Sequence, residues 1–118
     1  MTVLRIVPNF QANHPGEAAR FYGELFGLDR AMDMGWIVTL TSPTNMTPQM
    51  SLMREGGSGT EVPDISVEVD DVDAAHARAK NAGFEIAYTL VDELWGVRRF
   101  FVRDPQGRTV NILSHSSK

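Results

Sequence analysis

Residues 64–83 read DISVEVDDVDAAHARAKNAG, and the hydrophobic period changes once inside that stretch. Ile65, Val67 and Val69 alternate with Asp64, Ser66 and Glu68, which predicts a strand with one apolar and one polar face. Asp70 or Asp71 then caps a helix. Val72, Ala75, Ala79 and Ala82 run along that helix, and Gly83 ends it. Towards the N-terminus the same order occurs once more. Leu4, Ile6, Pro8 and Phe10 alternate with Arg5, Val7, Asn9 and Gln11. Pro8 has no N–H, so this strand needs an edge or an unpaired position there. Asn13 or His14 caps a second helix, with Pro15 in its first turn and Glu17 at the positive end of its dipole. Ala18, Phe21, Tyr22, Leu25 and Phe26 form one apolar stripe up to Gly27. Gly27 lies 20 residues after Val7, and Gly83 lies 19 after Asp64.

Each helix is followed by strands. In the first half they are expected over 36–41 and 49–54, with a turn at 42–45. In the second they are expected over 85–89, 97–102 and 109–113, with Asp104-Pro105-Gln106-Gly107 as the last turn. Gly56, Gly57, Gly59 and Pro63 make 56–63 the one linker-like stretch. The chain therefore reads strand–helix–strand–strand–(strand) twice, as two tandem βαβββ modules, 1–57 and 62–118, in one α+β domain. A module of about 58 residues buries too little surface to be stable alone. The two should share a core or pair with another chain. Helices on one face of each sheet leave the other face free. A curved mixed sheet around a concave pocket is the expected architecture.

Composition narrows the function. The chain has 118 residues, 11 Lys+Arg, 15 Asp+Glu and no Cys, for a net charge of −4. An acidic surface does not suit nucleic acid, whose phosphates need basic groups. No apolar run reaches the ~20 residues that span a bilayer, and the N-terminus lacks the pattern of a signal peptide. No membrane partner and a cytoplasmic location are the expectations. Without Cys there is no disulfide, thiolate metal site or Cys nucleophile.

Three segments resemble the vicinal oxygen chelate superfamily, which includes glyoxalase I, bleomycin-resistance proteins and extradiol dioxygenases. They are Ala19–Leu28 (ARFYGELFGL), Val67–Asp73 (VEVDDVD) and Trp95–Gly107 (WGVRRFFVRDPQG). The resemblance implies the glyoxalase/bleomycin-resistance fold and a homodimer. It also implies metal-ligand positions on four strands. Carried over, these fall on Val7, on Ser51 or Leu52, on Asp64 and on Asn111. Of these, Asp64 alone is a strong oxygen ligand, and a divalent cation wants several His or carboxylate ligands. No cofactor is therefore expected, and no metal residues are assigned.

The expected ligand contacts are Asn9, Gln11, Asp64, Ser66, Glu68, Asn111 and His115, with Trp36 and Trp95 as apolar walls. Asn9 and Gln11 share the Val7 face, where an exposed edge would serve equally well. A buried Glu68 with a raised pKa would act as a lone base. Asp64 and Glu68, four apart on one strand, are separated by ~13 Å, too far for a carboxylate dyad on one bond. His14 reads as an exposed cap, His76 as a half-buried helix residue, and Met46, Met50 and Met53 as core or a plastic apolar wall. Arg98, Arg99 and Arg103 read as a solvated basic strand. The resulting expectation is metal-independent binding and sequestration of an apolar or aromatic small molecule. The alternative is a lyase, isomerase or dioxygenase. It would use Glu68 for acid–base work or rebuild a metal site from Asp64, Glu68 and His115.

Overall fold

The computed structural model describes residues 1–43 and 49–115. Met46 and part of the turn expected at 42–45 lie outside them. The elements in chain order are β1 (Val3–Gln11), α1 (Pro15–Phe26), β2 (Asp29–Asp33), β3 (Ile37–Thr41), β4 (Gln49–Met53), β5 (Ile65–Val69), α2 (Val72–Asn81), β6 (Ile86–Asp92), β7 (Val97–Arg103) and β8 (Thr109–His115). This is an α+β chain of two βαβββ modules. Two compact units form, one from Val7–Val62 and the other from Met1–Ile6 with Pro63–Lys118. The chain passes from one unit to the other between Val62 and Pro63, and the first six residues belong with the second unit.

In the first unit the strand order is β2-β3-β4-β1. β1 runs parallel to β4, and the other pairs are antiparallel. The β1–β4 register begins at Asn9, directly after Pro8, whose nitrogen has no proton to give. Val38, Leu40 and Leu52 pack with Ala19 of α1. Thr39, Ser51 and Asn9 form one cross-strand row and alternate to the opposite face. Pro15 starts α1, and Gly27 ends it in the left-handed conformation (φ 67°). His14 occupies the N-cap without a side-chain cap bond; its carbonyl accepts the N–H groups of Glu17 and Ala18.

Three expectations change here. β2 was not legible, because all five of its residues are exposed and carry no apolar period. The α1 stripe is only half used. Ala18 and Tyr22 pack on the core, whereas Phe21, Leu25 and Phe26 are 59%, 60% and 63% exposed. The linker-like stretch is a tied turn. Gly56 donates to Thr60 O, Thr60 donates to Gly57 O, and Gly59 donates to the Glu55 carboxylate. A Cβ at Gly56 would collide with the backbone carbonyl of Glu61.

In the second unit the order is β5-β8-β7-β6, with β5 parallel to β8 and the rest antiparallel. Asp71 caps α2 by accepting the Ala74 N–H at 3.0 Å. Asp70 instead accepts the Thr2 N–H at 2.7 Å and so ties the N-terminus to this unit. Val69, Val72, Ala75, Ala79 and Phe100 form the core under α2, joined by Val67, Val102 and Ile112. His76 meets Phe100 edge-on from the helix. No described helix is long and apolar enough to cross a membrane.

Candidate functional site

In the second unit, the face of β5, β8, β7 and β6 turned away from α2 carries the chemistry. Strand alternation and register place its side chains in rows. Ser66, Asn111, Phe101 and Tyr88 are successive cross-strand partners, and Glu68, Leu113 and Arg99 form the next row. His115 ends β8 on the same face.

Asn111 is buried, 7% exposed. Its Nδ2 donates to Ser66 Oγ at 3.0 Å. Its Oδ1 is the one buried side-chain polar atom without a hydrogen bond among the described residues. Turning the amide over would leave its NH2 group at the same point, so one end is unsatisfied in either orientation. Such a group costs about 1–3 kcal/mol, which a donor from outside the chain would recover.

Glu68 holds two partners. Its Oε1 accepts from Arg5 Nε at 2.5 Å, and its Oε2 lies 2.7 Å from His115 Nδ1. Burial pushes the carboxyl up, but the His115 and Arg5 hydrogen bonds, with the Arg5 charge, outweigh it. The net effect lowers its pKa. Glu68 is therefore a persistent carboxylate, and the raised-pKa base expected from the sequence is not formed.

The basic strand also differs from its reading. β7 alternates, so consecutive arginines face opposite ways. Arg98 pairs with Asp73 and Asp92 at the surface. Arg103 reaches Glu85 and Thr109. Arg99 is buried, its side chain 3% exposed, and is paired at 2.7 Å with Glu93, itself 6% exposed. The rings of Tyr88, Trp95 and Phe101 lie 5.3, 5.1 and 4.9 Å from its guanidinium carbon. Tyr88 also donates to Glu93 at 3.0 Å. Trp95 is thus half-buried over a cation. Arg5, Tyr88 and Phe101 were missed in the sequence; the acidic Asp92-Glu93 pair just before the basic strand was the signal for the ion pairs.

The other expected contacts are dispersed. Asp64 precedes β5 and accepts the Thr109 N–H at 2.8 Å, which anchors the start of β8. In the first unit Asn9 is buried, 8% exposed, beside the Thr39–Ser51 hydroxyl pair at 2.8 Å. Gln11 is exposed, and Trp36 is half-buried just before β3 with its carbonyl accepting the Arg54 N–H. The family's metal positions do not suit a cation. Val7 has no donor atom, Ser51 is bonded to Thr39, Asp64 to Thr109 and Asn111 to Ser66. Among the described residues, no three His, Asp or Glu side chains are gathered as ligands, so Asp64, Glu68 and His115 do not form a metal centre.

Comparison with known proteins bears on this arrangement. The model of the Glyoxalase/Bleomycin resistance protein/Dioxygenase superfamily matches residues 4–112. Uncharacterized proteins of Mycobacterium bovis and Mycobacterium tuberculosis are 44% identical over 64 residues. That match covers 51% of this chain but only 41% and 37% of those proteins. Among solved structures, a superfamily member from Vibrio splendidus has a TM-score of 0.68 at 18% identity, covering 97% of this chain and 99% of that one. A Streptomyces coelicolor methylmalonyl-CoA epimerase has a TM-score of 0.72 at 17% identity, covering 99% and 100%. A Legionella pneumophila structure described as a NAD-dependent benzaldehyde dehydrogenase has a TM-score of 0.78 at 14% identity, covering 95% and 100%. At these identities the structures share the fold.

Proposed function

The chain belongs to the Glyoxalase/Bleomycin resistance protein/Dioxygenase superfamily, and from that premise we propose that it binds and sequesters a small apolar or aromatic molecule without a metal. One observation carries the proposal: the unsatisfied buried end of Asn111. A fold stable by only about 5–15 kcal/mol does not gain from such a group unless something pairs with it. The matching ligand donates an N–H or O–H to Oδ1. Ser66 holds the amide in place, and Phe101, the cross-strand partner of Asn111, supplies an apolar flank.

The test is a thermal-shift screen of small aromatic and alicyclic alcohols and amides, with each hit recovered and analysed for chemical change. A ligand at 100 times its Kd should add about 2.7 kcal/mol of stability. Binding with the compound recovered intact supports sequestration. A hit bound equally well by Asn111→Leu sinks it.

We also propose a homodimer. Phe10, Phe21, Leu25 and Phe26 of the first unit are each about half exposed or more. Apolar side chains in such numbers suit a self-complementary interface. Sedimentation analysis should find twice the 13.1 kDa chain mass. Phe21→Glu with Leu25→Glu should return the monomer.

A further inference from the structure

His115 stands where an oriented base would. Glu68 is a carboxylate and only accepts hydrogen bonds, so the 2.7 Å contact places the imidazole proton on Nδ1. The lone pair is then on Nε2. That atom has no hydrogen bond among the described residues, and the side chain is 50% exposed. Glu68 is in turn held by Arg5, whose Nε donates to its other oxygen. A base fixed by a second group, itself fixed by a third, is the arrangement that activates proton transfer.

We infer that His115, positioned by Glu68 and Arg5, takes the proton of a weakly acidic hydroxyl, a phenol or an enol, so that this ligand is held as its anion. The inference rests on the ligand-binding reading of the same sheet face and extends it to the ligand's class. In the step, the ligand O–H bond breaks and its electron pair stays on oxygen. An N–H bond forms at Nε2, and the imidazole becomes imidazolium. Release reverses the transfer, and no other reactant is consumed.

The charges favour this outcome. Arg5, Glu68 and neutral imidazole sum to zero; after transfer they sum to +1, which the ligand oxyanion neutralises. Among the described residues, the charged side chain in contact with His115 is Glu68. The β7 partner of His115 is the apolar Val97, and Arg99, two residues on, is closed by Glu93.

4-Nitrophenol is the probe, because its phenolate absorbs visibly and its phenol does not. In a near-neutral buffer, where the free compound is part phenol and part phenolate, the protein should enlarge the phenolate band until it saturates at one equivalent. His115→Gln, at an exposed side chain, should reduce that band at least tenfold without unfolding the protein. Glu68→Gln should weaken the band and shift its pH profile, which a merely structural strut would not do. 4-Nitrobenzyl alcohol, which has a donor but no acidic proton, serves as the calorimetric control. If it binds while 4-nitrophenol binds as phenol or not at all, the proton transfer is wrong and the binding reading stands. An equal phenolate band in wild type and His115→Gln likewise overturns the transfer. If neither compound binds, both readings fall.

Discussion

Asn111 and Arg99 are both buried polar residues on one sheet face, yet opposite results are expected from removing their polar groups. Arg99 is satisfied by Glu93 and enclosed by three rings. Glu93→Leu takes away the carboxylate that balances the buried guanidinium and should cost about 3–5 kcal/mol, read from urea unfolding. Asn111 has an acceptor with no partner. Asn111→Leu removes a desolvated group of similar size, so unliganded stability should hold or rise by about 1 kcal/mol while ligand affinity falls. A loss of more than about 1 kcal/mol in the unliganded protein would instead make Asn111 a structural residue. The sequence separates them only in part: it offers Asn111 as a ligand contact but puts Arg99 on a solvated basic strand. Burial and pairing separate them, and neither is a local property.

At the scale of elements, the turns and caps were the most legible features, since each is set by a few adjacent residues. Gly27 ends α1 and Asp71 begins α2 as the sequence implies. Asp71→Ala should cost about 1 kcal/mol of stability, measured by chemical denaturation. β2 escaped detection because an exposed strand has no apolar face to betray it. The 56–63 stretch shows the reverse error. Glycine was read as freedom, but Gly56 is there because a carbonyl passes where a side chain would sit. Gly56→Ala should therefore destabilise the fold by about 1–3 kcal/mol, as overpacking does, and lower the thermal midpoint. A flexible linker would show no change or a small gain.

The whole molecule should respond to acid through its carboxylates. Glu68, Asp70, Asp73 and Asp104 are all held below their usual pKa values by hydrogen bonds and neighbouring charge. A folded-state pKa lower than the unfolded one adds stability that is complete above the unfolded pKa. That stability is lost as pH falls through the folded value. Denaturant midpoints should thus be flat near neutrality and fall below about pH 4–5. Glu68→Gln should flatten part of that fall. The sequence alone determined the two-module repeat, all of its strands but β2, the helix ends and the absence of thiolate chemistry, because periodicity and capping act within a few residues. The tertiary structure decided which polar residues meet. Ser66 and Asn111 are 45 apart in sequence, Glu68 and His115 are 47 apart, and Arg5 and Glu68 are 63 apart. Strand order and register bring them together on one sheet face, and no local pattern records either.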